Sequence, residues 1–147
     1  MNFKRTVAIL LLLNLSGLFA DEIRGQEKRE LNQAKILKTY FERFNAHDLP
    51  GMLTHVSDDF QLYYILPDSV MLDIHDSNQL RSFLNRYFID YPNVRSEISD
   101  ITQVGNLVTF IEVARWGENG VNKQSSLAVY EFRKGKISRA WYYQAER

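Results

Sequence analysis

The chain has 147 residues, with 18 basic and 18 acidic side chains that cancel to a formal net charge of zero. That balance excludes the clustered basic face by which proteins grip nucleic acid, and the length suits one domain around a single core. Cysteine is absent, so disulfides, thiolate catalysis and a cysteine-borne lipid are excluded and packing must supply stability.

Residues 1–20 read as an export signal. Lys4 and Arg5 open it, Val7 to Leu15 is apolar except for Asn14, and Ser16-Gly17-Leu18-Phe19-Ala20 offers small residues for cleavage before Asp21. The apolar run is shorter than the roughly 20 residues a membrane-spanning helix needs. The expected location is secreted or periplasmic, with an uncleaved membrane anchor as the alternative and no stable membrane insertion after cleavage. Residues 21–29 are charged and read as a flexible lead-in to a domain over 30–147.

From Leu31 the spacing turns helical. Leu31, Ala34, Ile36, Leu37, Tyr40, Phe41 and Phe44 share one stripe at three- and four-residue steps. Asn45-Ala46-His47 ends that helix, Asp48 is placed to cap a second, and Pro50 sits in its first turn. Leu49, Met52, Leu53 and Val56 form its apolar face. Asp58-Asp59 breaks the pattern before a strand over Phe60–Leu66, and Pro67-Asp68-Ser69 turns into a short strand, Val70–Ile74. Asp76 or Ser77 caps a third helix in which Leu80, Phe83, Leu84, Tyr87 and Phe88 recur at helical spacing. Tyr91-Pro92-Asn93 stops it.

The remainder is strand and turn. Val94–Val104 places Val94, Ser96, Ile98, Asp100 and Thr102 on one side by strict alternation. Gly105-Asn106 turns into Leu107–Trp116, Gly117–Gly120 makes a longer turn, and Ser125–Arg133 pairs with Lys136–Gln144 through a tight Lys134-Gly135 hairpin. Helices followed by strands define an α+β class, with helices on one face of a sheet. Leu107, Ile111 and Val113 oppose Val108, Phe110 and Trp116, so both faces are apolar and the second needs a cover. A homodimer through that sheet face is the expected solution.

Tyr40 through Phe60, with its course of helix, Asn45-Ala46-His47-Asp48-Leu49, helix, Asp58-Asp59 and strand, resembles the opening of the nuclear transport factor 2-like superfamily, in its SnoaL-like branch. Tyr130-Glu131-Phe132-Arg133-Lys134-Gly135-Lys136-Ile137, with Trp141-Tyr142-Tyr143, is similar to the closing hairpin of that group. The resemblance covers about residues 30 to 145. It implies a cone-shaped, curved antiparallel sheet wrapped around about three helices and enclosing a pocket. No single activity follows, because this cone hosts isomerases, dehydratases, cyclases, ligand binders and interaction domains. In ketosteroid isomerase, one member, a helix-one tyrosine and a protonated carboxylic acid hold an oxyanion while a carboxylate moves the proton. Tyr40 matches the tyrosine. The two acids would fall near Tyr64 and Ala128, where none stands, so that mechanism does not transfer.

Glu112 and Tyr40 are the candidate catalytic groups. Glu112 shares a strand face with Val108, Phe110, Ala114 and Trp116. If that face lines a pocket, apolar surroundings raise its pKa and provide an acid or base near neutrality. The alternative is an outward glutamate paired with Arg115 or Arg139 of a neighbour. Tyr40 either donates to a ligand or bonds a backbone carbonyl inside the core.

By the parity the resemblance implies, Ala128, Tyr130, Phe132, Ala140, Tyr142 and Gln144 point into the cone. Tyr64, Phe83, Tyr130, Tyr142 and Gln144 are the expected ligand contacts, an aromatic wall with a few polar tips. His47, His55 and His75 read as solvated turn residues without metal-ligand spacing, so no metal or cofactor is expected. The absence of a G-x-S-x-G turn and of a glycine-rich loop after a strand excludes a hydrolase elbow and a phosphate loop. The expected function is an exported domain that binds a small apolar or aromatic ligand. The alternatives are a cofactor-free lyase or isomerase acting by proton transfer, and a homodimeric interaction module without catalysis.

Overall fold

A computed structural model of the chain describes residues 20–25, 28 and 32–144. The chain divides between residues 32 and 33, and fold, core and cavity all belong to the second unit, Gln33–Arg147. In the first, residues 21–25 and 28 of the expected lead-in are helical and exposed, as is Ala20, and residues 1–19 of the expected leader lie outside the described residues. Among the described residues no helix is long and apolar enough to cross a membrane.

Helix α1 (residues 32–45) buries Leu37, Tyr40, Phe41 and Phe44 along the stripe the sequence predicts. Its end is a Schellman closure. Asp48 N–H donates to the Arg43 carbonyl and His47 N–H to the Phe44 carbonyl, both at 2.9 Å. His47 holds the left-handed position, φ 54°, where glycine is the usual occupant. It is packed, not the solvated turn residue expected: its ring stacks on Phe88 with centroids 4.3 Å apart, and Nε2 lies 3.1 Å from Arg95 Nη1. Those contacts offset a backbone cost of about 1–2 kcal/mol.

Helix α2 (Leu49–Leu53) is capped as predicted, Asp48 Oδ1 accepting from Gly51 N–H at 3.0 Å. Strand β1 (Val56–Leu66) starts earlier than the sequence suggests. Asp58 and Asp59 lie inside it and do not break it, because its pairing with the last strand is irregular between Val56 and Gln61. A bulge of this kind lets two successive side chains reach solvent. Val56, assigned to the α2 face from sequence, is buried from β1 instead. After β2 (Ser69–Ile74), Asp76 caps α3 (Ser77–Asp90), its Oδ1 accepting from Gln79 N–H at 2.8 Å. Gln79 Oε1 reaches back to the His75 N–H at 2.7 Å, satisfying a second free donor.

Strands β3 (Arg95–Val104), β4 (Leu107–Trp116), β5 (Asn122–Arg133) and β6 (Lys136–Gln144) form an antiparallel meander. The six strands order as β2-β1-β6-β5-β4-β3, and only the β1–β6 contact is parallel. Strict alternation fails in β3. Asp100 has φ 52° and the register slips between Ser99 and Thr102, so Ile101, and not Asp100, joins Ile98 against the core. The hairpin turn at Lys134 and Gly135 has positive φ at both residues (50° and 77°), the twist-matched form for a two-residue loop.

Helices α1 and α3 fill the concave side of this sheet. Phe110, fully buried, packs edge-on against Phe41 (5.4 Å) and Tyr130 (5.0 Å), tying α1 to β4 and β5. The result is the α+β cone, helix-lined and curved, that the sequence leads one to expect.

Candidate functional site

Backbone pairing aligns the concave face in rows. Val108, Tyr130, Ala140 and Leu62 form one, Phe110, Ala128, Tyr142 and Tyr64 the next, and Glu112 with Ser126 and Gln144 the third. The first two rows meet α1 through Phe110 and Tyr130, and Leu62, Tyr64, Tyr130 and Tyr142 within them also face the hollow. Beside the third, Ala114 and Ser126 contribute little volume, and a cavity of about 300 Å³ remains. Phe83 and Tyr91 line it while each is 40% exposed, so it opens to solvent between α3 and β4.

Six of the seven site residues named from sequence meet there: Tyr40, Tyr64, Phe83, Glu112, Tyr130 and Tyr142. Gln144 pairs with Ser126 by backbone, and its side chain lies outside the described residues. Tyr87, Tyr91, Trp116, Gln124 and Ser126 were not assigned to the site from sequence and also line it. Phe83, Tyr87 and Tyr91 follow at four-residue steps and stand as a ladder of rings, 5.7 Å and 5.0 Å apart, with Trp116 edge-on to Tyr91 at 6.3 Å. The helical stripe contained Phe83 and Tyr87; its extension past the helix end to Tyr91 was the missed signal.

Glu112 faces inward. The outward alternative is not found, since the side chain lines the cavity; on the opposite face Arg139 is engaged by Glu131 at 3.3 Å, where Arg133 joins the same carboxylate at 2.9 Å. The Ser96 hydroxyl donates to Glu112 Oε1 at 2.5 Å. Ser96 is held in turn by Asn45 at the end of α1, whose amide accepts from the Ser96 N–H at 2.7 Å and donates to its carbonyl at 2.8 Å. Burial pushes the Glu112 carboxyl above its ordinary pKa; the Ser96 and Tyr142 hydroxyls oppose that rise without cancelling it. Of those two contacts only the Ser96 bond has good hydrogen-bond geometry. Glu112 retains some accessible surface, as expected for a group that lines a cavity.

Phenols surround this carboxyl. Tyr130 and Tyr142 share a hydrogen bond of 2.6 Å between their hydroxyls. Burial raises the pKa of Tyr40, Tyr130, Tyr142 and Tyr64, and the Glu112 charge adds to each rise. Tyr87 is pushed up to about 12 by the same two causes. All five therefore stay protonated near neutrality and keep an O–H that can donate. Among the described residues no backbone carbonyl accepts from Tyr40, so the core-bonded alternative for that hydroxyl is not found. Its ring contacts Phe41 and Tyr130 edge-on. No group of three or more His, Asp or Glu side chains among the described residues is arranged to hold a metal.

Fold and site together define an open α+β cone with one carboxyl in an aromatic hollow. The sequence profile of the SnoaL-like domain matches residues 37–140, and the chain belongs to that family. Among solved structures it is similar to an uncharacterised cystatin-fold protein from Novosphingobium aromaticivorans, at 25% identity and a TM-score of 0.64 over 75% of this chain and 96% of that one. A candidate polyketide cyclase from Xanthomonas campestris shares 20% identity, with a TM-score of 0.56 over 78% and 91% of the two chains. A candidate ketosteroid isomerase from Kribbella flavida shares 14%, with a TM-score of 0.62 over 79% of each. The last two likenesses are of fold alone. No curated protein matches.

Proposed function

We propose that this SnoaL-like domain binds a compact, largely aromatic small molecule in its cone, with Glu112 and the tyrosine hydroxyls meeting the polar end. The observation that carries this reading is the hollow itself: about 300 Å³, walled by Phe, Tyr and Trp, with one carboxyl inside. That combination of apolar wall and few convergent polar groups is the usual form of a small-molecule site. The test is thermal unfolding of the full chain against a library of hydrophobic compounds. A ligand at about a hundred times its Kd adds about 2.7 kcal/mol of stability. No shift with any compound contradicts the reading.

A second reading, a cofactor-free lyase or isomerase, draws on the raised carboxyl of Glu112 and the Tyr40 phenol, which line the same cavity. Glu112 takes or gives the proton and Tyr40 donates to the oxygen on which charge develops. Loss of turnover in Glu112→Gln with ligand binding retained is the expected signature.

Two proposals concern the setting. Export follows from residues 1–20, and N-terminal sequencing of protein recovered outside the cytoplasm, starting at Asp21, is the result expected. Self-association draws on the convex face, where Ile111, Leu127, Tyr143 and Ile65 form one row and Thr109, Val129, Trp141 and Tyr63 the next. Leu127 and Tyr143 are 43% and 40% exposed. The Glu131, Arg133 and Arg139 edge carries both charge signs, so a second copy related by a two-fold axis can match it. Sedimentation of the full chain as a monomer at high concentration contradicts this.

A further inference from the structure

The charge inside the hollow narrows the class of occupant, given that the hollow is a binding site as proposed above. Among the described residues Glu112 is the one carboxylate that lines the cavity, and no lysine, arginine or histidine lines it there. Every ion pair among the described residues lies elsewhere. The carboxyl is met by hydroxyls alone, and a buried carboxylate without a cation is costly. The same cavity is lined by the rings of Tyr64, Tyr87, Tyr91 and Trp116, whose electron-rich faces attract positive charge.

We infer that the cavity takes an organic cation, an amine or quaternary ammonium carried on a small aromatic or apolar body, with Glu112 as its counter-ion. Such a ligand supplies the charge the protein withholds, and its apolar body fills the rest of the volume. A neutral ligand of the same shape leaves the carboxyl uncompensated. An anionic one is repelled.

The test is calorimetric titration of the full chain with 2-phenylethylamine, 2-phenylethanol and phenylacetate, which share one ring and differ in charge. The amine is expected to bind at least about tenfold more tightly than the alcohol, and phenylacetate not to bind. In Glu112→Gln the preference for the amine is lost while the alcohol still binds. Should that variant fail to fold, the wild-type series decides. Equal or tighter binding of the alcohol overturns the cation inference and leaves the cavity reading standing, as does preference for phenylacetate. If none of the three binds while a neutral library compound stabilises the protein, the inference is again overturned alone. If no compound of either set acts, both readings fall.

Discussion

Ser96 and Glu112 are joined by a hydroxyl–carboxyl bond of 2.5 Å across adjacent strands β3 and β4. Because Asn45 clamps both backbone groups of Ser96, the end of α1 fixes the serine, and the serine fixes the carboxyl in the cavity. A helix terminus thereby sets the orientation of a group on a strand 67 positions later in the chain by way of two short links.

Removing the hydroxyl tests the last link. In Ser96→Ala, Glu112 loses a donor that favours its charged form, so its titration midpoint should rise further. Carbon-13 NMR of the side-chain carboxyl reads this directly. An unchanged midpoint shows that the bond does not tune the carboxyl.

Removing the clamp tests the first. Asn45→Ala leaves the Ser96 N–H and carbonyl without their partner, which should cost about 2–3 kcal/mol in urea unfolding. Asn45→Asp keeps the acceptor for the N–H and should cost less. Equal losses for the two variants contradict the bidentate geometry.

Glu112 also makes stability depend on pH. Its folded pKa lies above the ordinary value of 4.5, so between the two values the folded state holds more proton than the unfolded. Its contribution is therefore full below about 4.5 and is lost as pH rises through the folded pKa. Each tenfold displacement of that proton equilibrium corresponds to about 1.4 kcal/mol. Glu112→Gln should flatten the profile, gaining on wild type more at pH 8 than at pH 4. A gain that is the same at both pH values contradicts burial of the carboxyl.

Core and cavity should respond oppositely to changes in volume. Phe110 is fully buried among Phe41 and Tyr130, and Phe110→Ala should cost about 3–5 kcal/mol. Ala114 borders open space, so Ala114→Leu should change stability by less than about 1 kcal/mol while abolishing ligand binding. A large loss from Ala114→Leu would show that the space is not free.

Much of this was legible in the sequence because period carries position. The stripe from Leu37 to Phe44, the caps at Asp48 and Asp76, and the Lys134-Gly135 turn are local signals with local physical causes, and each is found. The parity that the family resemblance implies along β5 and β6 put Tyr130 and Tyr142 in the cone, where both are found. Departures came where the backbone spends an extra residue. The irregularity at Asp58-Asp59 and the bulge at Asp100 have no signature in alternation, since they depend on what the neighbouring strand requires. Ser96 and Asn45 were invisible as a pair, because 51 residues separate them and neither side chain is unusual by itself. Which face Glu112 occupied was open from pattern alone, since β4 is apolar on both sides.

The chain's two tryptophans stand on opposite faces of the sheet, Trp116 lining the cavity and Trp141 stacked on Tyr63 on the convex side. Indole N–H resonances of the nitrogen-15-labelled full chain, titrated with 2-phenylethylamine and with 2-phenylethanol, therefore report separately on the hollow and on the outer face. Saturable movement of the Trp116 signal with Trp141 unmoved is the result predicted. Movement of Trp141 alone, or of neither, contradicts a ligand seated in the cone.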